Sequence, residues 1–215
     1  MAGKAPDSAR KTTPAPGGGK TRKSQKVEAR RQELAEAALE TLAELGYART
    51  GLREIAQKSE YTHGVLHYYF KDKIDLICCA VRLYKARCIV RYDAAVAEAS
   101  TREEMLERFL EKLEETMETE AQLHRLWYDL RSQALFDSAL QKDVLEIDDS
   151  LENMIWRIAS RYADLGGRRI AISKSVLYVT FDGLFQKYLL RSLSGDPNAV
   201  QDLLAEVRRL MPIVA

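Results

Sequence analysis

The sequence predicts an all-α protein of about nine helices, with a small N-terminal unit and a larger helical one behind it. Three observations carry this. Apolar residues recur at alternating three- and four-residue steps, as in Ile74, Ile77, Val81, Tyr84, Cys88 and Ala95. Helix start and stop signals separate the periodic stretches: Thr101 with Glu104, Ser138 with Gln141, then Gly46, Gly166-Gly167 and Gly195. No stretch shows the alternation of a strand, a βαβ succession or an internal repeat.

In chain order, residues 1–25 hold three of the five prolines and a Gly17-Gly18-Gly19 run, with few large apolar groups. Such a segment buries too little surface to order itself, so a disordered basic arm is expected there. It is either a solubilising tail or a flexible arm that lays cations in a DNA minor groove, a role that would fall to Arg22, Lys23 and Lys26. From Val27 to Leu45 the pattern is helical, with Leu34, Ala38, Leu42 and Leu45 on one stripe and Gly46 as its cap. Two short amphipathic runs follow, divided by Ser59-Glu60-Tyr61. The first places Leu52, Ile55 and Ala56 on one face. The second starts at Thr62, whose hydroxyl can accept from a free N–H one turn on.

Asp72 and Asp75 favour the start of a long fourth helix to about Glu98, roughly 40 Å at ~1.5 Å per residue. It would run from the N-terminal unit into the second and link them mechanically. Helices are expected from Thr101 to about Glu118, from Ala121 to about Leu135, from Ser138 to about Ala163 and from Arg168 to Leu193. A last one runs to about Met211, with Asp196 as cap and Pro197 at its first position. The resulting division is an arm (1–25), a helix-turn-helix domain (26–71) and a helical ligand-binding and dimerisation domain (72–215).

Two short helices joined by a tight turn form a helix-turn-helix, whose second helix enters the major groove. By pattern alone an ordinary helical hairpin fits equally well. Charge adds direction. Through Lys73 the chain carries 14 Lys/Arg against 9 Asp/Glu, and the remainder 19 against 23. Cations are therefore gathered at one end, where a polyanion would be met.

The residues of the segment settle more. The Ile55-Ala56 pair, Gly64, the run His67-Tyr68-Tyr69-Phe70 and the Lys71-Asp72-Lys73 helix start resemble the DNA-binding domain of the tetracycline-repressor (TetR) family, from about Leu34 to Leu76. One departure is Glu60, where the family usually has a glycine in the turn. A glutamate would be strained there if φ is positive. The resemblance implies that residues matching Tyr69 and Lys73 hold phosphates. From position, Arg53 can reach phosphate or a guanine edge, and Thr62, His63, Gly64 and Val65 would enter the groove, with His67 and Tyr68 one turn on. Phe70 reads as core.

Other functions have little support. No GxxxxGK[ST], GxSxG or HExxH motif is present, which argues against an enzyme. His63 and His67, like Glu120 and His124, lie four apart but lack the further ligands of a metal site, so no metal and no cofactor are expected. Cys78, Cys79 and Cys88 form neither a disulfide framework nor a zinc pattern and read as small buried residues. No run approaches a ~20-residue membrane span, the start MAGKAPDSARK lacks a secretory h-region, and a cytoplasmic protein is expected.

In the larger unit, His124, Trp127, Tyr128 and Arg131 share or border one helix face and mix polar groups with large apolar ones. That composition suits a ligand cavity, although a satisfied core or a surface stripe is the commoner reading of it. Arg131 would meet an anionic ligand or an internal carboxylate. The LHRLWYDLRSQAL stretch is similar to ligand domains of the choline/betaine-regulator subgroup, and an aromatic cage can bind a quaternary ammonium. The helix from Arg168 is apolar on most faces, which points to a second copy as partner. Val176, Val179, Leu184, Leu203, Val207 and Leu210 are the expected dimer contacts. The whole reads as a ligand-responsive regulator, a repressor of a palindromic DNA operator, acting as a homodimer with an unidentified small-molecule effector. The rival reading is a small-molecule-binding or catalytic helical domain whose hairpin does not touch DNA.

Overall fold

The computed structural model describes residues 22–214. Among these the chain forms nine α-helices and no strand: α1 (Arg22–Leu45), α2 (Leu52–Lys58), α3 (His63–Tyr69), α4 (Lys73–Ala97), α5 (Arg102–Thr119), α6 (Ala121–Gln133), α7 (Ser138–Leu165), α8 (Lys174–Leu193) and α9 (Ala199–Val214). The expected arm lies outside the described residues up to position 21. Residues 22–25 were expected in that arm and instead open α1. Nothing from Arg22 to Leu45 is Gly or Pro, and Lys, Gln and Arg propagate a helix well.

The head is α1 to α3. Leu34, Ala38 and Leu42 of α1 bury against Leu52 and Ile55 of α2, Leu66 of α3 and Phe70 just beyond it. Gly46 terminates α1 at φ +76°, a conformation that suits a residue without Cβ, and its N–H bonds Leu42 O at 2.9 Å. Thr62 caps α3, its Oγ1 accepting from Val65 N at 3.3 Å. Arg31 ties the head together. Its guanidinium pairs with Asp75 at 2.6 Å, donates to the Tyr69 carbonyl and lies over the Phe70 ring. Burial pushes the Asp75 carboxyl up, but the bonds from Arg31 and from Lys71 N–H outweigh it and hold it below its ordinary value.

The Glu60 turn carries no left-handed residue: among the described residues every positive φ belongs to a glycine. The strain anticipated for glutamate is therefore absent, and the backbone follows a different path from the one that favours glycine.

Three boundaries differ from expectation, each for a local reason. Asp137, not Ser138, caps α7, its carboxylate accepting from Ala139 N at 2.9 Å, while Gln141 turns back to Ala134 O. α8 starts at Lys174 rather than Arg168. Gly167 takes φ +62° and Arg168 N–H returns to Ala163 O at 2.9 Å, which closes α7, and Ser173 then caps the new helix. Asp196 and Pro197 form a turn ahead of α9, which begins at Ala199 and continues past Met211 to Val214.

α4 runs about 38 Å, from the head into the larger body, at ~1.5 Å per residue. α5, α6 and α7 pack on its far part, and α8 and α9 close over α5 and α7. Their core includes Tyr84, Phe109, Trp127, Met154 and Leu177. Cys78 and Cys88 are buried there, Cys79 half-buried, and all three are free. Burial pushes the Cys78 thiol up to about 12, so it is inert as a nucleophile.

Candidate functional site

The head presents α3 outward. Leu66 faces the core and Val65 and Tyr69 lean onto it half-buried, so the opposite side of the short helix is left to solvent. Thr62, Gly64, His67 and Tyr68 are exposed, Tyr68 to 80 %, and His63 is half-exposed with its ring edge against His67 at 4.4 Å. A Cβ added at Gly64 would meet only Thr62 Oγ1, 3.9 Å away, so this turn of backbone is open to close approach. Arg53 of α2 is exposed beside the same turn. Lys73 lies with its ammonium 4.4 Å from the centre of the Tyr47 ring, which sets the direction of its chain. Arg22, Lys23 and Lys26 are exposed in the first two turns of α1. Val65 is thus less available to a groove than its position suggested, and Phe70 is core, as expected.

The body holds a cavity walled by α4 to α9, part of it open to solvent. α4 supplies Lys85, Cys88 and Tyr92 to its wall, and α6 supplies His124, Trp127 and Tyr128. Phe109, Met154, Phe181, Phe185, Leu203 and Val207 make the remaining wall largely apolar. Three of the four residues singled out from sequence are therefore in the wall. Arg131 is not. It is consumed by internal carboxylates, Asp182 at 2.5 Å and Asp148 at 3.3 Å, while Tyr128 donates to Asp182 at 2.9 Å and Tyr178 to Asp148.

Lys85 was missed in the sequence. It is 2 % exposed and forms no ion pair with any described residue. Its Nζ lies 3.0 Å from His124 Nδ1. Burial lowers it from its ordinary value to about 8. The same burial, with Lys85 and Arg91 nearby, holds His124 well below its ordinary value and therefore neutral. With Lys85 donating to Nδ1, the ring proton sits on Nε2, and that buried N–H has no partner. Trp127 Nε1–H is likewise buried without one. A signal was available. Lys85 occupies the 81, 85, 88, 92 stripe of α4, where every other residue is apolar or aromatic.

Cys88, Glu120 and His124 bring ligand atoms within 4.8 Å of one another. The chemistry disfavours a metal there. Arg91 covers both Glu120 oxygens, Tyr84 donates to one of them at 2.7 Å, and Lys85 adds a further cation.

α6 touches both sites. While His124 and Trp127 face the cavity, Asp129 accepts the Tyr47 N–H at 2.8 Å and Arg125 donates to Ala43 O at 2.7 Å. These bonds fasten the end of α1 to α6. Leu203 and Val207, expected at a dimer interface, are buried inside the protomer, because that side of α9 closes the cavity. Val176 and Val179 are 50 % and 57 % exposed, and Leu184 and Leu210 are half-buried.

Fold and site together define an all-α protein with an N-terminal helix-turn-helix head and a cavity-bearing helical body. Residues 34–77 match the family model described as bacterial regulatory proteins, tetR family. The body shares its fold with solved structures of low sequence identity. A putative TetR-family transcriptional regulator from Rhodococcus sp. is 20 % identical with TM-score 0.69, over 85 % of this chain and 98 % of that one. A TetR transcription regulator from Haloarcula marismortui is 18 % identical with TM-score 0.70, over 86 % and 98 %. The transcriptional regulator FadR from Bacillus subtilis, in complex with stearoyl-CoA, is 19 % identical with TM-score 0.68, over 83 % and 96 %. Residues 34–77 are thus a domain of the tetR regulatory-protein family, and the chain as a whole has the fold of these solved structures. Among the described residues no helix is long and apolar enough to cross a membrane.

Proposed function

We propose that the protein represses transcription as a homodimer bound to a two-fold operator, and releases it when a small molecule enters the body cavity. The observation that carries this is α6, which contributes wall to the cavity and hydrogen bonds to the head. A ligand that shifts His124 and Trp127 shifts Asp129 and Arg125 with them, and α1 with α3 behind it. α4, which also spans both parts, supplies the second connection. Coupling of this kind requires that the ligand bind the two head positions with different affinity.

In this reading Thr62, His63, Gly64, His67 and Tyr68 meet base edges, with Val65 at the margin. Arg53, Tyr69 and Lys73 meet phosphates, as do Arg22, Lys23 and Lys26 from the start of α1. The face of α8 carrying Val176, Val179 and Leu190 is apolar and exposed, which favours a second copy against it. Two heads then face half-sites one helical turn, ~34 Å, or a multiple apart. The Bacillus subtilis FadR holds stearoyl-CoA, and the apolar wall here suits a ligand with an apolar body as well. Lys85 argues against the quaternary ammonium suggested by the choline/betaine resemblance, since a cation would sit beside a buried cation. No catalytic activity is assigned.

Gel shift against the DNA flanking the protein's own gene tests the reading. A preferred duplex bound at least ~10³-fold over random DNA is expected. Equal affinity for all duplexes, or a protein that stays monomeric while bound, refutes it.

A further inference from the structure

We propose that the effector is an apolar monocarboxylate, its carboxylate held by Lys85, His124 and Trp127 and its hydrocarbon body lying against Phe109, Phe181 and Phe185. The proposal rests on reading the cavity as an effector site and names the chemistry that site selects.

Around the polar end of the cavity, three buried groups offer hydrogens. Lys85 has three N–H and one hydrogen-bond partner among the described residues, His124 Nδ1, with the Tyr84 and Trp127 rings 5.3 and 5.5 Å from its ammonium. His124 Nε2 and Trp127 Nε1 have none. His124 and Trp127 are 8 % and 1 % exposed, so bulk water does not serve them freely. Buried donors left unpaired are rare in folded proteins, and each calls for an explanation.

The acids nearby are already committed. Asp182 is held by Arg131 and Tyr128, and Glu120 by Arg91 and Tyr84. Among the described residues Lys85 is left as a buried cation without an ion-pair partner. A group that accepts several hydrogen bonds and carries one negative charge completes this end, and a carboxylate does both. The rest of the wall is mostly aromatic and aliphatic, and its one carboxylate, Asp182, is already paired with Arg131, so the rest of the ligand is hydrocarbon. A cationic ligand would add repulsion, and a neutral ester would leave the ammonium unpaired.

Titration calorimetry on the full-length protein tests this with octanoate, decanoate and cinnamate, each beside its methyl ester, and with decyltrimethylammonium. At least one carboxylate should bind roughly 10- to 100-fold tighter than its ester. Lys85→Met should remove that preference, weakening the carboxylate far more than the ester. Trp127→Phe deletes one donor and part of the wall, so it should weaken the carboxylate several-fold and the ester less. Equal affinity for acid and ester, preference for the ammonium compound, no binding of any acid, or a Lys85→Met protein that keeps the preference each overturns the proposal. The experiment is independent of DNA. A carboxylate that binds as described yet leaves the protein on its operator refutes the induction reading alone. An ester that binds and releases the operator refutes only the carboxylate.

Discussion

Replacing Lys85 by Met should make the ligand-free protein more stable. Met keeps the length of the side chain and removes the ammonium. In the folded chain burial lowers Lys85 to about 8 from an ordinary 10.5. Cys88, Asp182 and Glu120 act to raise it and Arg131 to lower it, each less than burial does. At ~1.4 kcal/mol per pKa unit, keeping it charged near neutral pH opposes folding by about 3 kcal/mol. The substitution also orphans His124 Nδ1, a loss of about 1 kcal/mol. A net gain of roughly 2 kcal/mol remains, or about 4–8 °C in Tm for a chain of this size.

The pH dependence gives a sharper test. Between about pH 8 and 10.5 the unfolded chain holds this proton and the folded chain does not. The stability of the parent protein relative to the variant therefore rises with pH across that window and is lowest below it. Urea unfolding of both proteins near neutral pH and near pH 10 should show the gap closing. A variant less stable than the parent, or a gap that ignores pH, refutes the account of Lys85 as an uncompensated buried cation.

Three other outcomes are expected. Asp129→Ala deletes the acceptor of Tyr47 N–H, so ligand affinity should persist while ligand-driven operator release falls several-fold, as measured by fluorescence anisotropy of labelled operator. Lys73→Ala should weaken all duplexes alike and flatten the salt dependence by about one counterion, whereas Tyr68→Ala or His67→Ala should change the preferred sequence in binding-site selection. Asp75→Asn should cost about 1 kcal/mol or less, since the Arg31 pair is partly solvated. Because Asp75 is held below its ordinary value when folded, its contribution is present above the ordinary carboxylate range and lost as pH falls through the folded value, so variant and parent should converge in acid unfolding curves.

Much of this was readable along the chain. Helix periodicity depends on neighbours three and four residues away, so the stripes of α1 and α4 declared themselves. So did the cap at Thr62, whose bond spans three residues. The outward set on α3 followed from one local fact: with Leu66 inward, His67 and Tyr68 point away. The starts of α7 and α8 were harder, because adjacent residues competed to cap and the winner depended on the chain path through Gly167. Arg131 was ambiguous for a related reason. Asp182 is 51 positions away, and only packing brings it to the guanidinium.

Local sequence thus determined that the chain is helical, where a helix-turn-helix lies and which side chains that turn of helix exposes, because those properties arise from interactions within a few residues. Tertiary structure alone decided that Leu203 and Val207 close a cavity rather than a dimer seam, that Asp129 reaches Tyr47, and that Lys85 stands buried without an acid beside it. Each of these depends on which distant groups share a volume, and the folded core sets that by filling space.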